Sequence, residues 1–158
     1  MHRLCLVRHA KAEQTGGIPD DDRDLTQSGI RDAGDLGKVL ANLAPGITLI
    51  VASPILRARR TAAILADRTG ARLALDDRLS TRSGADDALR AIAEHLPIAQ
   101  PGRLVAIGHN PTFSELARRL TMSGQQGMRA CECVELEFND DQFPGIASVS
   151  RTIYSPIE

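Results

Sequence analysis

Arg8-His9 and Gly108-His109 stand at the ends of two short apolar runs, Leu4–Val7 and Leu104–Ile107. Between them, Arg57 follows a third such run, Ile47–Ala52, one turn into a segment opened by Ser53-Pro54. Two arginines and two histidines, without a Ser-His-Asp set or metal-spaced ligands, suit a phosphoryl group. Arginine offers planar, bidentate donors to phosphate oxygens. A neutral imidazole nitrogen is a nucleophile that needs no base to activate it. A second histidine, protonated near neutral pH, can donate to the same oxygens or to the leaving atom. Each residue alone is ordinary where a strand returns to water. Their joint occurrence at three strand ends is what points to a site.

The elements that must hold these residues follow from the same pattern. Apolar runs bounded by charge read as buried strands, and in an open α/β sheet ligands bind beyond the carboxyl ends of the strands. After the first strand comes a loop holding Gly16-Gly17, Pro19 and the acidic run Asp20–Asp22, whose acids read as solvated, while Lys11, Glu13 and Arg23 lie near enough to reach the crevice. Thr26 caps a helix, with Leu25 and Ile30 spaced as a hydrophobic staple and Ile30, Ala33, Leu36, Leu40 and Leu43 as its apolar face. Ser53 is expected to cap the next helix and Pro54 to occupy its first turn, with Arg57 pointing back to the crevice and Arg59 and Arg60 solvated. Arg72–Leu75 reads as a strand, Ala85–Leu96 as a helix closed by Pro97, and Asn110-Pro111 as the start of another helix. Gly124 to Gly127 marks a turn, and Val134–Phe138 and Ala147–Tyr154 a hairpin joined by Asn139-Asp140-Asp141. The expected fold class is therefore α/β: a three-layer sandwich with a mostly parallel central sheet flanked by helices and a closing antiparallel hairpin, built as a single domain over residues 1–158.

Composition narrows the function. Aromatics make up 3% of residues and the net charge is −1, so neither base-stacking surfaces nor a basic field is available for nucleic acid. No run approaches the ~20 apolar residues of a membrane span, and the short apolar run at the start is not expected to act as a signal peptide. Three cysteines, an odd number, suit reduced thiols in the cytoplasm. Cys131-Glu132-Cys133 reads as part of a strand with both sulfurs on one face, and no matching Cys/His pair completes a metal site. Neither metal nor cofactor is expected.

These junctions resemble the histidine phosphatase superfamily, branch 1. Its Arg-His-Gly hallmark is matched by Arg8-His9-Ala10, with alanine in place of glycine. Its Ser-x-x-x-Arg-Ala-x-x-Thr-Ala element looks like Ser53, Arg57, Ala58, Thr61 and Ala62, and its second histidine is matched by Gly108-His109-Asn110. The matching elements run from residue 4 to about 120. The resemblance implies a phosphoglycerate mutase-like fold, His9 as the phosphorylated nucleophile, and Arg8, Arg57 and His109 as the rest of the phosphate pocket.

Small size and the stretch Asp22-Arg23-Asp24-Leu25-Thr26…Gly29 look most like SixA-type phosphohistidine phosphatases. The larger cofactor-dependent phosphoglycerate mutases carry a glutamate acid in the segment that is Asp76–Gly84 here, where no glutamate stands. Asp76, Asp77 and Glu13 remain as candidate general acids. Three functions stay open at this point: removal of phosphate from phosphohistidine on a partner protein, hydrolysis of small phosphate esters such as sugar phosphates, and phosphate recognition without turnover.

Overall fold

The computed structural model describes residues 1–14, 16–122, 127–141 and 143–157. Six strands form one sheet in the order β3-β2-β4-β1-β5-β6. They are β1 (His2–Arg8), β2 (Ile47–Ala52), β3 (Arg72–Leu75), β4 (Arg103–Gly108), β5 (Cys133–Phe138) and β6 (Val149–Tyr154). The first four in spatial order are parallel, and β5 and β6 add an antiparallel edge. The helices are α1 (Gln27–Ala41), α2 (Leu56–Thr69), α3 (Ala85–Ala99) and α4 (Thr112–Thr121). This is the mostly parallel, three-layer α/β arrangement expected.

Strand alternation sorts the core into two halves. Leu4, Leu6, Leu104 and Ala106 face a cluster completed by Ile92, Leu96, Phe113 and Leu116 of α3 and α4. Cys5, Val7, Val105 and Ile107 face the opposite cluster, with Ala33, Leu36, Leu40 and Leu65 of α1 and α2. Because β1 and β4 are covered on both faces, they read as unbroken apolar runs. Among the described residues, no helix is long and apolar enough to cross a membrane.

Several boundaries differ from expectation. Ile30 is 39% exposed, so the face of α1 is carried by Ala33, Leu36 and Leu40 and not by a Leu25–Ile30 staple. Helix α3 continues through Pro97 to Ala99, whose burial against the core keeps the last turn wound although proline removes one donor. The first helical residue of α4 is Thr112, not Asn110 or Pro111. At the far end, β5 begins at Cys133, since the Cys131 N–H donates to the carbonyls of Arg8 and His9 instead of joining the ladder. Likewise β6 begins at Val149, because the Ala147 N–H donates to the Leu120 carbonyl. The turn expected from Gly124 lies outside the described residues.

Candidate active site

Parallel register brings three strand ends to one edge. Arg8 of β1 pairs with Gly108 of β4, and Ile107 of β4 with Ala52 of β2. Each ladder runs one residue further: the His9 N–H donates to the Gly108 carbonyl at 3.1 Å, and the Ser53 N–H to that of Ile107 at 3.0 Å. Gly108 is required by packing, since a Cβ there would lie 2.3 Å from the Phe113 ring at the start of α4. Arg8, His9, Arg57 and His109 thus line one pocket of about 280 Å³, together with Lys11, Arg23 and Asn110.

His9 is 7% exposed, and its Nδ1 lies 2.8 Å from the Ala10 carbonyl. A carbonyl only accepts, so Nδ1 carries the proton and Nε2 keeps its lone pair. Burial pushes the His9 pKa down to about 3; the Ala10 carbonyl opposes the shift, while His109, Arg57 and Arg8 reinforce it. The Ala10 N–H in turn donates to Thr61 Oγ1 at 3.0 Å, which ties the segment after β1 to α2.

His109 is 3% exposed, with its ring centroid 5.2 Å from that of His9. Its Nε2 lies 2.8 Å from Ser53 Oγ, which also accepts from the Ile55 N–H at 3.2 Å. With the hydroxyl donating to Nε2, the His109 proton sits on Nδ1. Burial pushes the pKa of this ring down to about 4, helped by Arg57 and Arg8 and opposed by Asp20 and Asp21. Against the expectation of a His109 protonated near neutral pH, burial in the pocket favours the neutral ring. Ser53 also differs from its expected role. It extends β2 and holds His109, while α2 starts at Leu56.

Arg57 is 3% exposed and reaches the loop that follows β1. Its Nη1 donates to the Asp20 carbonyl at 2.8 Å and its Nη2 to Asp20 Oδ2 at 3.1 Å. Burial works against ionisation of Asp20, but hydrogen bonds and charge from Arg57 and Arg23 outweigh it and hold the carboxyl below its usual range. Of the run Asp20–Asp22, read as solvated, Asp20 is thus engaged at the pocket. Arg8 Nη1 donates to the Met128 carbonyl at 3.1 Å, and Asn110 Nδ2 to the same oxygen at 2.8 Å. Arg60, expected to be solvated, pairs with Asp24 at 2.9 Å, while Arg59 is exposed.

The loop's path depends on one close approach. The Lys11 carbonyl accepts from the Thr26 N–H at 3.0 Å, and a Cβ on Gly29 would lie 2.2 Å from that oxygen. Thr26 caps α1 as expected, accepting from the Gly29 N–H at 3.0 Å.

The three candidate acids are not gathered with the histidines. Asp76 is bound by Arg78 at 2.8 Å and by His95 at 3.1 Å. Hydrogen bonds from Arg78, and then from His95, hold its carboxyl well below the usual range against the effect of burial. Asp77 is exposed in a separate groove with Asp21, Arg59 and Arg82. Glu13 is exposed and accepts from the Asp24 N–H at 3.2 Å. Cys5, Cys131 and Cys133 are free and buried, and among the described residues no group of His, Cys, Asp and Glu is placed to hold a metal ion. Asp20 and Ser53, which hold the pocket residues Arg57 and His109, are the residues that sequence reasoning assigned elsewhere. A Ser-Pro pair satisfies the capping pattern equally well, and nothing local marks which acid of a run meets an arginine from α2.

A sequence model of the histidine phosphatase superfamily (branch 1) matches residues 4–87. An uncharacterized protein of Mycobacterium tuberculosis is 34% identical over 125 residues, spanning 70% of this chain and 67% of its own. A structure from Agrobacterium tumefaciens, assigned as the phosphohistidine phosphatase SixA, matches with TM-score 0.78 and 23% identity over 98% of both chains. The mycobacterial glucosyl-3-phosphoglycerate phosphatase in complex with VO3 matches with TM-score 0.74 and 20% identity over 96% of this chain and 97% of its own. At such identities the two structures establish likeness of fold. Taken with the match across β1, α1 and α2, they lead to one assignment: the chain belongs to branch 1 of the histidine phosphatase superfamily.

Proposed function

We propose that the protein is a phosphatase that carries the phosphoryl group on Nε2 of His9 and removes it from phosphohistidine on a partner protein. The observation that supports the covalent step is the His9 Nδ1 contact to the Ala10 carbonyl at 2.8 Å, which leaves Nε2 as the nucleophile. In the first step the Nε2 lone pair forms a bond to phosphorus as the substrate's P–N bond breaks. A substrate imidazole already protonated on its other nitrogen leaves as a neutral ring. In the second step water attacks phosphorus, the His9–phosphorus bond breaks, Nε2 recovers its lone pair, and both water protons leave with the product as dihydrogen phosphate. Arg8 and Arg57 stabilise the equatorial oxygens, and His109 donates to them from Nδ1. The guanidinium charges make this chemistry independent of a metal.

The proton inventory supports this substrate class. An alkoxide leaving group needs a proton in the transition state, whereas an imidazole needs none from the enzyme. Asp20, the carboxyl engaged with Arg57, is held ionised and serves poorly as an acid. Glu13, Asp76 and Asp77 do not line the pocket. The buried, free thiols suit a cytoplasmic location. Likeness in fold to a glucosyl-3-phosphoglycerate phosphatase supports a second reading, a hydrolase of small phosphate monoesters.

The test is a panel pairing a phosphohistidine protein with sugar phosphates and phosphoglycerate, read as kcat/KM, together with rapid-quench labelling. The phosphohistidine protein is expected to be the best substrate, with an acid-labile, base-stable label on His9. His9→Ala is expected to abolish turnover while vanadate still binds. Near-normal turnover by His9→Ala would overturn the covalent mechanism, and a sugar phosphate as best substrate would favour the second reading.

A further inference from the structure

A groove of about 860 Å³ adjoins the catalytic pocket and shares Arg8, Lys11 and Ala130 with it. The pocket itself is smaller, at about 280 Å³. Whatever flanks a phosphorylated ring bound there must lie in the neighbouring space. The groove is bounded on one side by the first turns of α1, through Ser28, Arg31 and Asp32. On the other side run Met128–Ala130 and the tail residues Pro156 and Ile157.

Its charge is one-sided. Among the described residues, Lys11 and Arg31, with Arg8 at the shared edge, line it beside the carboxylate of Asp32. The chain as a whole has a net charge of −1, so this excess of cations is local to the groove. Lys11 and Arg31 are exposed, and their charge acts where a second protein's surface arrives. Charges arranged in this way select a partner of opposite sign and raise its encounter rate.

We propose that the groove binds acidic residues flanking the phosphorylated histidine of the substrate protein. This rests on the phosphohistidine reading and adds to it a rule for which phosphohistidines are chosen. Arg31 is the residue to probe, because it lines the groove and not the catalytic pocket, and its exposed helical position tolerates substitution.

Two synthetic phosphohistidine peptides, identical except for Glu or Gln at the flanking positions, provide the test. Wild-type protein is expected to prefer the Glu peptide in kcat/KM by on the order of tenfold at low ionic strength, with the preference shrinking as salt is added. Arg31→Glu is expected to erase the preference while hydrolysing the Gln peptide within about twofold of wild type. Equal kcat/KM for the two peptides in wild type, or a preference that survives Arg31→Glu, overturns the proposal. The unphosphorylated peptides are measured in parallel as inhibitors of aryl phosphate hydrolysis. If neither phosphopeptide is turned over, the phosphohistidine reading fails, and the inhibition constants still decide the groove. Stronger inhibition by the Glu peptide that Arg31→Glu removes supports the acidic-flank site. Indifference to the flanks, with 3-phosphoglycerate inhibiting better than glycerol phosphate, assigns the groove to a small anionic ester and overturns it.

Discussion

Asp20 holds two nitrogens of Arg57 at once, through its carbonyl at 2.8 Å and its Oδ2 at 3.1 Å. The backbone contact aims the guanidinium, and the carboxylate places an anion where a phosphate oxygen also gains from binding. Asp20→Asn keeps the first and removes the charge of the second. The expected result is tighter competitive inhibition by inorganic phosphate, by about fivefold for so exposed a carboxylate. Weaker phosphate inhibition would show that the carboxylate is needed to position Arg57.

Arg57→Lys is expected to be far from conservative. Lysine keeps the charge but not the planar fork, so it loses the two fixed donor directions that Nη1 and Nη2 provide. The expected loss in kcat/KM is on the order of 10²-fold, equivalent to roughly 2.7 kcal/mol of transition-state stabilisation. Arg59, exposed on the same helix and outside the pocket, serves as the control, and Arg59→Lys should leave kcat/KM near wild type. Equal harm from both changes would place the phosphate contact on a different face of α2.

The two histidines give pH a defined sign. With pKa values pushed down to about 3 for His9 and about 4 for His109, both rings are neutral at pH 7. His9 is then ready to attack, and kcat/KM should show no loss from its protonation until the pH falls below about 5. Stability follows by linkage. A depressed folded-state pKa contributes stability that is complete above the unfolded histidine value, near 6.5, and is lost as pH falls toward the folded values. The Tm of the wild type should therefore drop between pH 6.5 and 4 more steeply than that of His109→Asn, measured without phosphate. Parallel Tm curves would mean that His109 ionises as freely in the folded protein as in the unfolded chain.

What the sequence made legible, and what it hid, divides along local and tertiary lines. Leu4–Val7 and Leu104–Ile107 announce buried strands because both their faces are covered, and parallel pairing then carries His9 and His109 to one edge. Thr26 is a cap by local chemistry alone, and it is one in the structure. Ser53 has the same local chemistry but continues the β2 ladder, since its N–H finds the Ile107 carbonyl first. Asp20 could not be told from Asp21 and Asp22, because its partner Arg57 lies 37 positions away. His9 reads as a neutral nucleophile from its place alone, whereas the neutral form of His109 comes from burial, which no local pattern reports.

Leaving-group dependence is the sharpest remaining test of the missing acid. Beside the pocket, Asp20 is held below the usual carboxylate range by Arg57, and within it burial keeps His109 in the neutral form, so neither is a strong proton donor toward a departing oxygen. Breaking a P–O bond without a proton places nearly full negative charge on that oxygen. The rate should then track how well the oxygen bears the charge. Aryl phosphates with leaving-group pKa near 7 are expected to exceed alkyl phosphates by on the order of 10²-fold in kcat/KM, with a steep dependence across a substituted aryl series. A flat dependence, or equal rates on aryl and alkyl esters, would reveal a working acid. Single substitutions of Glu13, Asp20, Asp76 and Asp77 to the amide would then identify it, the true acid being the one whose loss steepens the dependence while aryl substrates with the best leaving groups stay fast.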